Sequence, residues 1–285
     1  MIKKNGRLCE MTTMRVGGKP SSFFYPTSYQ ELANFIYHSP HYYLLGGGSN
    51  VLAPDEGVAA TVIKLDRLPK ILKVVKETEQ EVWIQASASI SKFSFLSFCK
   101  DLGFSGMEFC AGIPGNIGGG LAMNAGTPLG DFGTMTEEIL ILFPQGKLEK
   151  LPKEKVGFGY RSVHVPTGAV FLEGVFKLKK NTKENVSKTI QSILKHRQET
   201  QPVSHSNCGC IFKNPTPVSA GQLIDQAGLK GTRMGHAQIS NLHANFIINK
   251  GGARFDDIIS LISLAKKTVQ EKCGVTLEEE VKIWS

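Results

Sequence analysis

The chain has 285 residues, 33 Lys plus Arg against 25 Asp plus Glu, and a formal charge of +8 at pH 7. Hydrophobic residues make up 41% and charged residues 20%, which suits a globular chain with one large core or two to three domains. No run of 18 apolar residues occurs, so no membrane span is expected. The basic stretch Met1-Ile2-Lys3-Lys4-Asn5-Gly6-Arg7 leads into no apolar segment and does not read as a secretory signal. Six cysteines with one close pair, Cys208 and Cys210, do not make a disulfide framework, and the chain is expected in the cytoplasm. Basic residues are scattered, with short clusters at Lys147–Lys155 and Lys177–Lys183. With no aromatic-interleaved basic stripe, a nucleic-acid partner is not expected, and the excess charge favours approach of a small anionic substrate.

Strand-like and helix-like segments alternate along the chain. Thr27-Ser28 caps a helix carrying Leu32, Phe35 and Ile36, with Glu31 placed three after Ser28 as in a capping box. Strand-like runs follow at Tyr42–Leu45, Ala60–Leu65, Ile71–Val75 and Val82–Ala86. A helix from about Ser91 is expected to show Phe93, Leu96, Cys99 and Leu102 on one face and to stop at Gly103. Further strands are expected at Ile139–Phe143 and Val170–Leu178. The polar run Lys179–Lys183 leads into an amphipathic helix bearing Val186, Ile190, Ile193 and Leu194. A short helix after Ser219, a strand at Asn245–Asn249 and a long helix with Ile258, Leu261, Ile262, Ala265 and Val269 come next. Gly274 closes the long helix, and a last strand covers Val281–Trp284.

Two glycine-dense segments stand out: Leu45-Gly46-Gly47-Gly48-Ser49-Asn50 and Gly112-Ile113-Pro114-Gly115-Asn116-Ile117-Gly118-Gly119-Gly120. Each follows an apolar run. Glycine lets successive backbone N–H groups converge on one anion, and two such loops in one chain suit a pyrophosphate held between two surfaces. Neither loop matches the dinucleotide fingerprint G-x-G-x-x-G or the P-loop, so a dinucleotide here binds by another scheme, and ordinary tight turns remain the bland alternative. The division read from this pattern is 1–60 and 61–180 as two glycine-loop domains, with an α+β domain over 181–285.

Four further clusters carry chemical groups: Phe158-Gly159-Tyr160-Arg161-Ser162, Cys208-Gly209-Cys210-Ile211-Phe212-Lys213-Asn214-Pro215, His243-Ala244-Asn245-Phe246, and Leu277-Glu278-Glu279-Glu280-Val281. Taken singly, each has an ordinary structural explanation: a surface ion pair for Arg161, packing for His243, a solvated strand start for the glutamates. A metal site is not expected, because a zinc site needs four ligands and Cys208 and Cys210 have no second pair at ligand spacing.

In this order the motifs resemble the UDP-N-acetylenolpyruvoylglucosamine reductases, nearly end to end. The likeness starts at Thr12-Thr13-Met14-Arg15-Val16-Gly17-Gly18 and includes both glycine loops. It runs on through Gly106-Met107-Glu108-Phe109, Met123-Asn124-Ala125-Gly126 and Phe158–Ser162. Gln201-Pro202, Phe212–Pro215, Leu223–Gly231, His243–Phe246 and Glu280-Val281 complete it. The short interval between Arg161 and Cys208 resembles the shorter, class II-like form, which lacks an extra substrate-covering loop.

The resemblance implies a vanillyl-alcohol-oxidase-like (PCMH-type) FAD-binding fold of two subdomains plus an α+β substrate-binding domain. It also implies one non-covalent FAD, with Gly46, Gly47, Gly48, Ser49, Asn50, Pro114, Gly115, Ile117, Gly118 and Asn124 around it. NADPH and UDP-N-acetylglucosamine-enolpyruvate are the implied substrates, used in turn, and the chain is expected to be a monomer. Family roles fall on Arg161 and Glu280 as stabilisers of the substrate enolate and on Cys210 as proton donor, with Tyr160, Lys213, Asn214 and His243 toward substrate. The chain departs from the pattern at Cys210, where the family usually has serine, and at Met11, where a polar residue is common. An unperturbed thiol, pKa about 8.5, is mostly protonated at neutral pH and far more acidic than a hydroxyl, so cysteine can serve as the acid. The alternatives are another flavin oxidoreductase of the same fold with a different substrate, and a non-catalytic binding protein that kept the fold.

Overall fold

The computed structural model describes residues 2–3, 6–39 and 41–285; Met1, Lys4 and Asn5 of the basic N-terminal stretch lie outside the described residues. By its contacts the chain forms two compact units. One contains Ile2, Phe24–Gly47 and Ile63–His196; the other contains Lys3–Phe23, Gly48–Val62 and Arg197–Ser285. The first glycine loop straddles the division, between Gly47 and Gly48.

The first unit is built on an antiparallel sheet. Its order is Leu148–Pro152, Thr136–Leu142, Val170–Lys180, Glu81–Ser87, Leu72–Glu77, with Phe104–Ser105 added beside Val170–Lys180. Alternation decides its faces. Val82, Ile84 and Ala86 are fully buried, while Trp83 lies on the other face under the ammonium groups of Lys76 and Lys177, 4.3 and 5.3 Å from its ring. Opposite Val82 and Ile84 in the register are Leu178 and Phe176, and Phe95 and Phe132 meet Phe176 edge-on at 5.2 and 5.9 Å.

Phe95 comes from the helix Lys92–Leu102, capped by Ser91 and ended by Gly103 in the left-handed conformation, as expected. Its buried face differs from expectation: Lys92, Phe95, Leu96 and Cys99 are buried, whereas Phe93 and Leu102 are exposed. A row at every third residue drifts about 60° per step on a 3.6-residue helix, so Phe93 and Leu102 fall on opposite flanks of the stripe.

The helix Tyr29–His38 is capped by the Ser28 hydroxyl, which accepts from the Glu31 N–H at 3.1 Å. The Glu31 carboxylate reaches past Ser28 to the Thr27 N–H and hydroxyl, at 2.7 and 2.9 Å. Leu32 and Ile36 are buried, and Phe35 stacks on Phe24 at 4.3 Å. The helix Lys183–Thr200 buries only Val186 of its apolar positions; Ile190 and Ile193 are half-buried and Leu194 is exposed.

In the second unit the helix Phe255–Cys273 buries all five expected residues and ends at left-handed Gly274. Its stripe joins Met14, Val16, Leu52, Phe212, Leu223 and Ile247 in one core. A three-stranded antiparallel sheet, Arg233–Met234, Ala237–Ile239 and Ile247–Asn249, lies on that core. The helix Ala220–Gln226 starts with a full capping box between Ser219 and Gln222. The last strand is shorter than expected, Lys282–Ile283, and pairs in parallel with Val51–Leu52. Among the described residues no helix is long and apolar enough to cross a membrane.

Candidate active site

In the first unit the two glycine loops meet. A Cβ on Gly47 would lie 2.5 Å from the Gly115 Cα and 3.3 Å from Asn116 Oδ1, so only glycine permits this approach. At Gly46 and Gly119 a Cβ would meet nothing within 4 Å. The loops thus touch at Gly47 and Gly115, while the Cβ positions of Gly46 and Gly119 face open space. The second loop is braced from residues 88–92: the Ile117 and Gly118 N–H groups donate to Ile90 and Ala88 carbonyls at 2.9 and 3.0 Å, and Ser91 pairs with Asn116. Gly115 has φ 109°, again a glycine conformation. Close backbone approach, left-handed glycines and open space together fit the phosphates of a dinucleotide such as FAD.

The Met123–Gly126 motif clasps the Phe158–Ser162 motif. Asn124 is buried at φ 40°, its Nδ2 donates to the Gly159 carbonyl at 2.8 Å, and its Oδ1 accepts from the Gly133 N–H at 2.8 Å. Arg161, at φ 52°, returns the contact by donating from Nη2 to the Gly126 carbonyl at 2.7 Å. Two side-chain-bearing residues in left-handed geometry mark stored strain of the kind that clusters at functional sites. Half-buried Arg161 keeps its guanidinium 5.3 Å from the ring of Tyr160, which is exposed. The Asn124 amide is turned into the scaffold, where it shapes the Arg161 turn.

In the second unit the remainder of the first loop meets the end of the chain. Gly48 has φ 64°, and a Cβ there would come within 2.1 Å of the Met11 carbonyl oxygen. Thr13 donates from its N–H to the Gly48 carbonyl at 3.0 Å. The Asn50 carbonyl accepts from the Lys282 N–H at 3.1 Å, and Asn50 Nδ2 donates to the Glu280 carbonyl at 3.0 Å. Half-buried Ser49 precedes Asn50 in this turn. The parallel strand pair therefore carries Glu280 to the exit of the glycine loop.

The Cys208–Asn214 segment runs alongside. The Glu280 N–H donates to the Ile211 carbonyl at 2.8 Å, and the Ile211 N–H donates to the Asn245 carbonyl at 2.9 Å. The Asn245 side chain brackets Phe212 with bonds of 2.9 and 2.8 Å. Cys210, half-buried, bridges to Phe246. Cys208 is 2% exposed, and burial pushes its thiol up to about 12, with Cys210 and Glu280 near enough to add to the rise. Cys208, Cys210 and Glu280 are thus one neighbourhood.

The other glutamates have different partners: Glu278 pairs with Lys213, and Glu279 with Lys266 at 2.7 Å. Asn214 is exposed, and its Oδ1 accepts from the Ala220 N–H at 3.1 Å at the start of a helix. His243 packs edge-on to Phe246 at 4.9 Å, and its Nδ1 accepts from the Asn245 N–H at 3.2 Å. Burial holds its pKa below the ordinary 6.5. Among the described residues no three His, Cys, Asp or Glu side chains are placed to hold a metal ion.

Residues 201–284 match the family described as the UDP-N-acetylenolpyruvoylglucosamine reductase C-terminal domain, and residues 20–151 match the FAD binding domain. A UDP-N-acetylenolpyruvoylglucosamine reductase of Halalkalibacterium halodurans is 36% identical, covering 99% of this chain and 94% of that protein. One from Syntrophobacter fumaroxidans is 38% identical over 96% of this chain and 81% of the relative. The chain belongs to the UDP-N-acetylenolpyruvoylglucosamine reductase family. The crystal structure of the Thermus caldophilus enzyme of that name superposes with a TM-score of 0.85 at 34% identity, over 100% of both chains. With the family come the expected oxidoreductase class and the vanillyl-alcohol-oxidase-like (PCMH-type) flavin-binding α+β fold.

Two lysines escaped the sequence reading. Lys64 donates from Nζ to the Gly46 carbonyl at 3.2 Å, and Lys92 donates to the Pro114 carbonyl at 3.2 Å. A signal was present in each case: Lys64 sits inside the apolar run Val62-Ile63-Lys64-Leu65, and Lys92 falls on the buried stripe of its helix.

Proposed function

We propose that this chain reduces the enolpyruvyl ether of UDP-N-acetylglucosamine-enolpyruvate to UDP-N-acetylmuramate, with NADPH as reductant and one non-covalent FAD as cofactor. The observation that carries the reading is the parallel pairing of Val51–Leu52 with Lys282–Ile283, which ties Glu280 to Asn50 at the end of the glycine loop. A carboxylate whose backbone is anchored to a cofactor loop is held in register with whatever that loop binds.

On this reading Gly46–Asn50, Pro114, Gly115, Ile117 and Gly118 hold the FAD, and Asn124 shapes the adjoining turn. Bound FAD would supply two-electron redox chemistry between NADPH as hydride source and the substrate methylene carbon as hydride acceptor. The chain's own residues handle the charge and the proton. Arg161, a permanent cation, stabilises the substrate carboxylate and the enolate formed beside it. Cys210 gives its thiol proton to the carbon that ends as the new stereocentre. Glu280 assists charge placement at the enolate next to Cys210. Tyr160, Lys213, Asn214 and His243 are each assigned to the sugar nucleotide, whose phosphates suit a basic chain. The division by ligand is 1–60 and 61–180 for FAD and 181–285 for substrate. The chain is taken as a monomer of the cytoplasm, the latter in keeping with its cysteine usage.

The test is direct. Purified protein should be yellow, NADPH should bleach it anaerobically, and UDP-N-acetylglucosamine-enolpyruvate should restore the colour with formation of UDP-N-acetylmuramate. A colourless protein that takes up no FAD would end the flavin reading. A yellow one that NADPH bleaches but the enolpyruvyl substrate does not reoxidise would favour a different substrate on the same fold.

A further inference from the structure

The ammonium group of Lys64 donates to the Gly46 carbonyl, and that of Lys92 to the Pro114 carbonyl, both at 3.2 Å. Neither is a surface lysine. Lys92 is 5% exposed overall, and the Lys64 side chain is 13% exposed. Lys64 also pairs with Asp66 at 3.4 Å, and the Lys92 ammonium lies 5.7 Å from the centre of the Phe132 ring. Lys92 is fixed at both ends, because its own N–H donates to the next carbonyl of the loop, Gly115, at 2.9 Å.

Peptide geometry turns these contacts into a statement about direction. In a trans peptide the C=O of one residue and the N–H of the next point to opposite sides. Drawing the Gly46 carbonyl toward Lys64 aims the Gly47 N–H away from it. Drawing the Pro114 carbonyl toward Lys92 likewise aims the Gly115 N–H away. Gly47 and Gly115 are the two residues at which the loops touch. A buried ammonium is costly to desolvate and is retained where its charge or its bond is used.

We propose that Lys64 and Lys92 are a matched pair of positioning residues, one behind each glycine loop, that aim the Gly47 and Gly115 N–H groups at a single anion. Their two positive charges make the site selective for a pyrophosphate-bearing flavin over an uncharged one. The inference rests on the flavin reading above and adds the residues that make it specific for the dinucleotide. Gly47 and Gly115 supply the donors, and the lysines set their orientation from the carbonyl side. The neighbouring Asp66 carboxylate offsets part of the Lys64 charge, so Lys92 is the stronger of the two.

The experiment titrates deflavinated full-length protein with FAD and, separately, with riboflavin, followed by flavin fluorescence. Binding of FAD by the unaltered chain tests the flavin reading, and its failure would end that reading before any variant is made. For the lysines, Lys64→Met and Lys92→Met should each weaken FAD by about ten-fold or more, the scale of a lost charged hydrogen bond. Riboflavin, lacking the pyrophosphate, should bind each variant as it binds the parent. Lys64→Gln keeps a donor without charge and should fall between Lys64→Met and the parent. Should Lys92→Met fail to fold, the Lys64 variants carry the test, since that side chain lies nearer the surface. Equal weakening of FAD and riboflavin, or unchanged FAD affinity, overturns the proposal.

Discussion

Gly47 and Gly115 lie so close that a Cβ on the first would stand 2.5 Å from the Cα of the second, a distance no packed side chain tolerates. Gly46, one residue earlier, has nothing within 4 Å of the same position. The two neighbours therefore separate architecture from ligand. Gly47→Val should lower the melting temperature and abolish flavin binding together, because backbone must move. Gly46→Ala should leave the melting temperature of the deflavinated protein within a degree or two of the parent, yet weaken FAD sharply. Full flavin retention in Gly46→Ala would place the pyrophosphate elsewhere.

The three glutamates near the C-terminus give a second separation. Glu280→Gln should cut turnover by orders of magnitude. Glu279→Gln breaks an ion pair with Lys266 whose side chains are 29% and 39% exposed, so its cost is about 1 kcal/mol or less, with turnover near normal. Steady-state kinetics alongside thermal melts decides this. Equal loss of turnover at both positions would mean that the register around Glu280 has no catalytic meaning.

For Cys210 the two half-reactions should part. Cys210→Ala should leave bleaching of the protein by NADPH close to normal and slow reoxidation by the enolpyruvyl substrate by roughly 10²–10⁴. Cys210→Ser should restore much of that step. Cys208, buried with its thiol pushed up to about 12, should resist alkylation in the folded protein, and Cys208→Ala should leave both half-reactions little changed. Stopped-flow absorbance of the flavin reads both. If Cys210→Ala slows bleaching as severely as reoxidation, the acid role fails.

Asn124 holds the Gly159 carbonyl and the Gly133 N–H from a buried position. Asn124→Ala leaves both groups without that partner and should cost about 1–3 kcal/mol of stability. It should also raise the KM for substrate or lower kcat more than the melting shift accounts for, because Arg161 loses the brace of its turn. A variant that melts lower but turns over normally at low temperature would show that the clasp is structural alone.

Stability should fall on the acid side partly through His243. Burial holds its folded pKa below the ordinary 6.5, so the unfolded chain takes up the proton first as pH drops. Its contribution is fully present above about pH 6.5 and is lost as pH falls through the lower, folded value. Melting temperature measured between pH 8 and 5 should decline, and His243→Gln should flatten that decline. An unchanged slope in the variant would assign the acid loss to other groups.

The sequence by itself determined what depends on near neighbours. Ser28, Ser91 and Ser219 cap helices, Gly103 and Gly274 end them, and the long helix buries the stripe from Ile258 to Val269, because caps and periodicity act within a few residues. The ordered motifs likewise carried the family. Tertiary structure alone decided which flank of the Lys92–Leu102 helix is buried, since spacing by threes does not say which side meets the sheet. It decided that Val51–Leu52 pairs with Lys282–Ile283, a contact between residues some 230 apart that no local pattern encodes. It also decided that Lys64 and Lys92 turn inward onto loop carbonyls. A lysine in a sequence reads as solvent-facing until the fold shows a carbonyl beside it and shuts out the water.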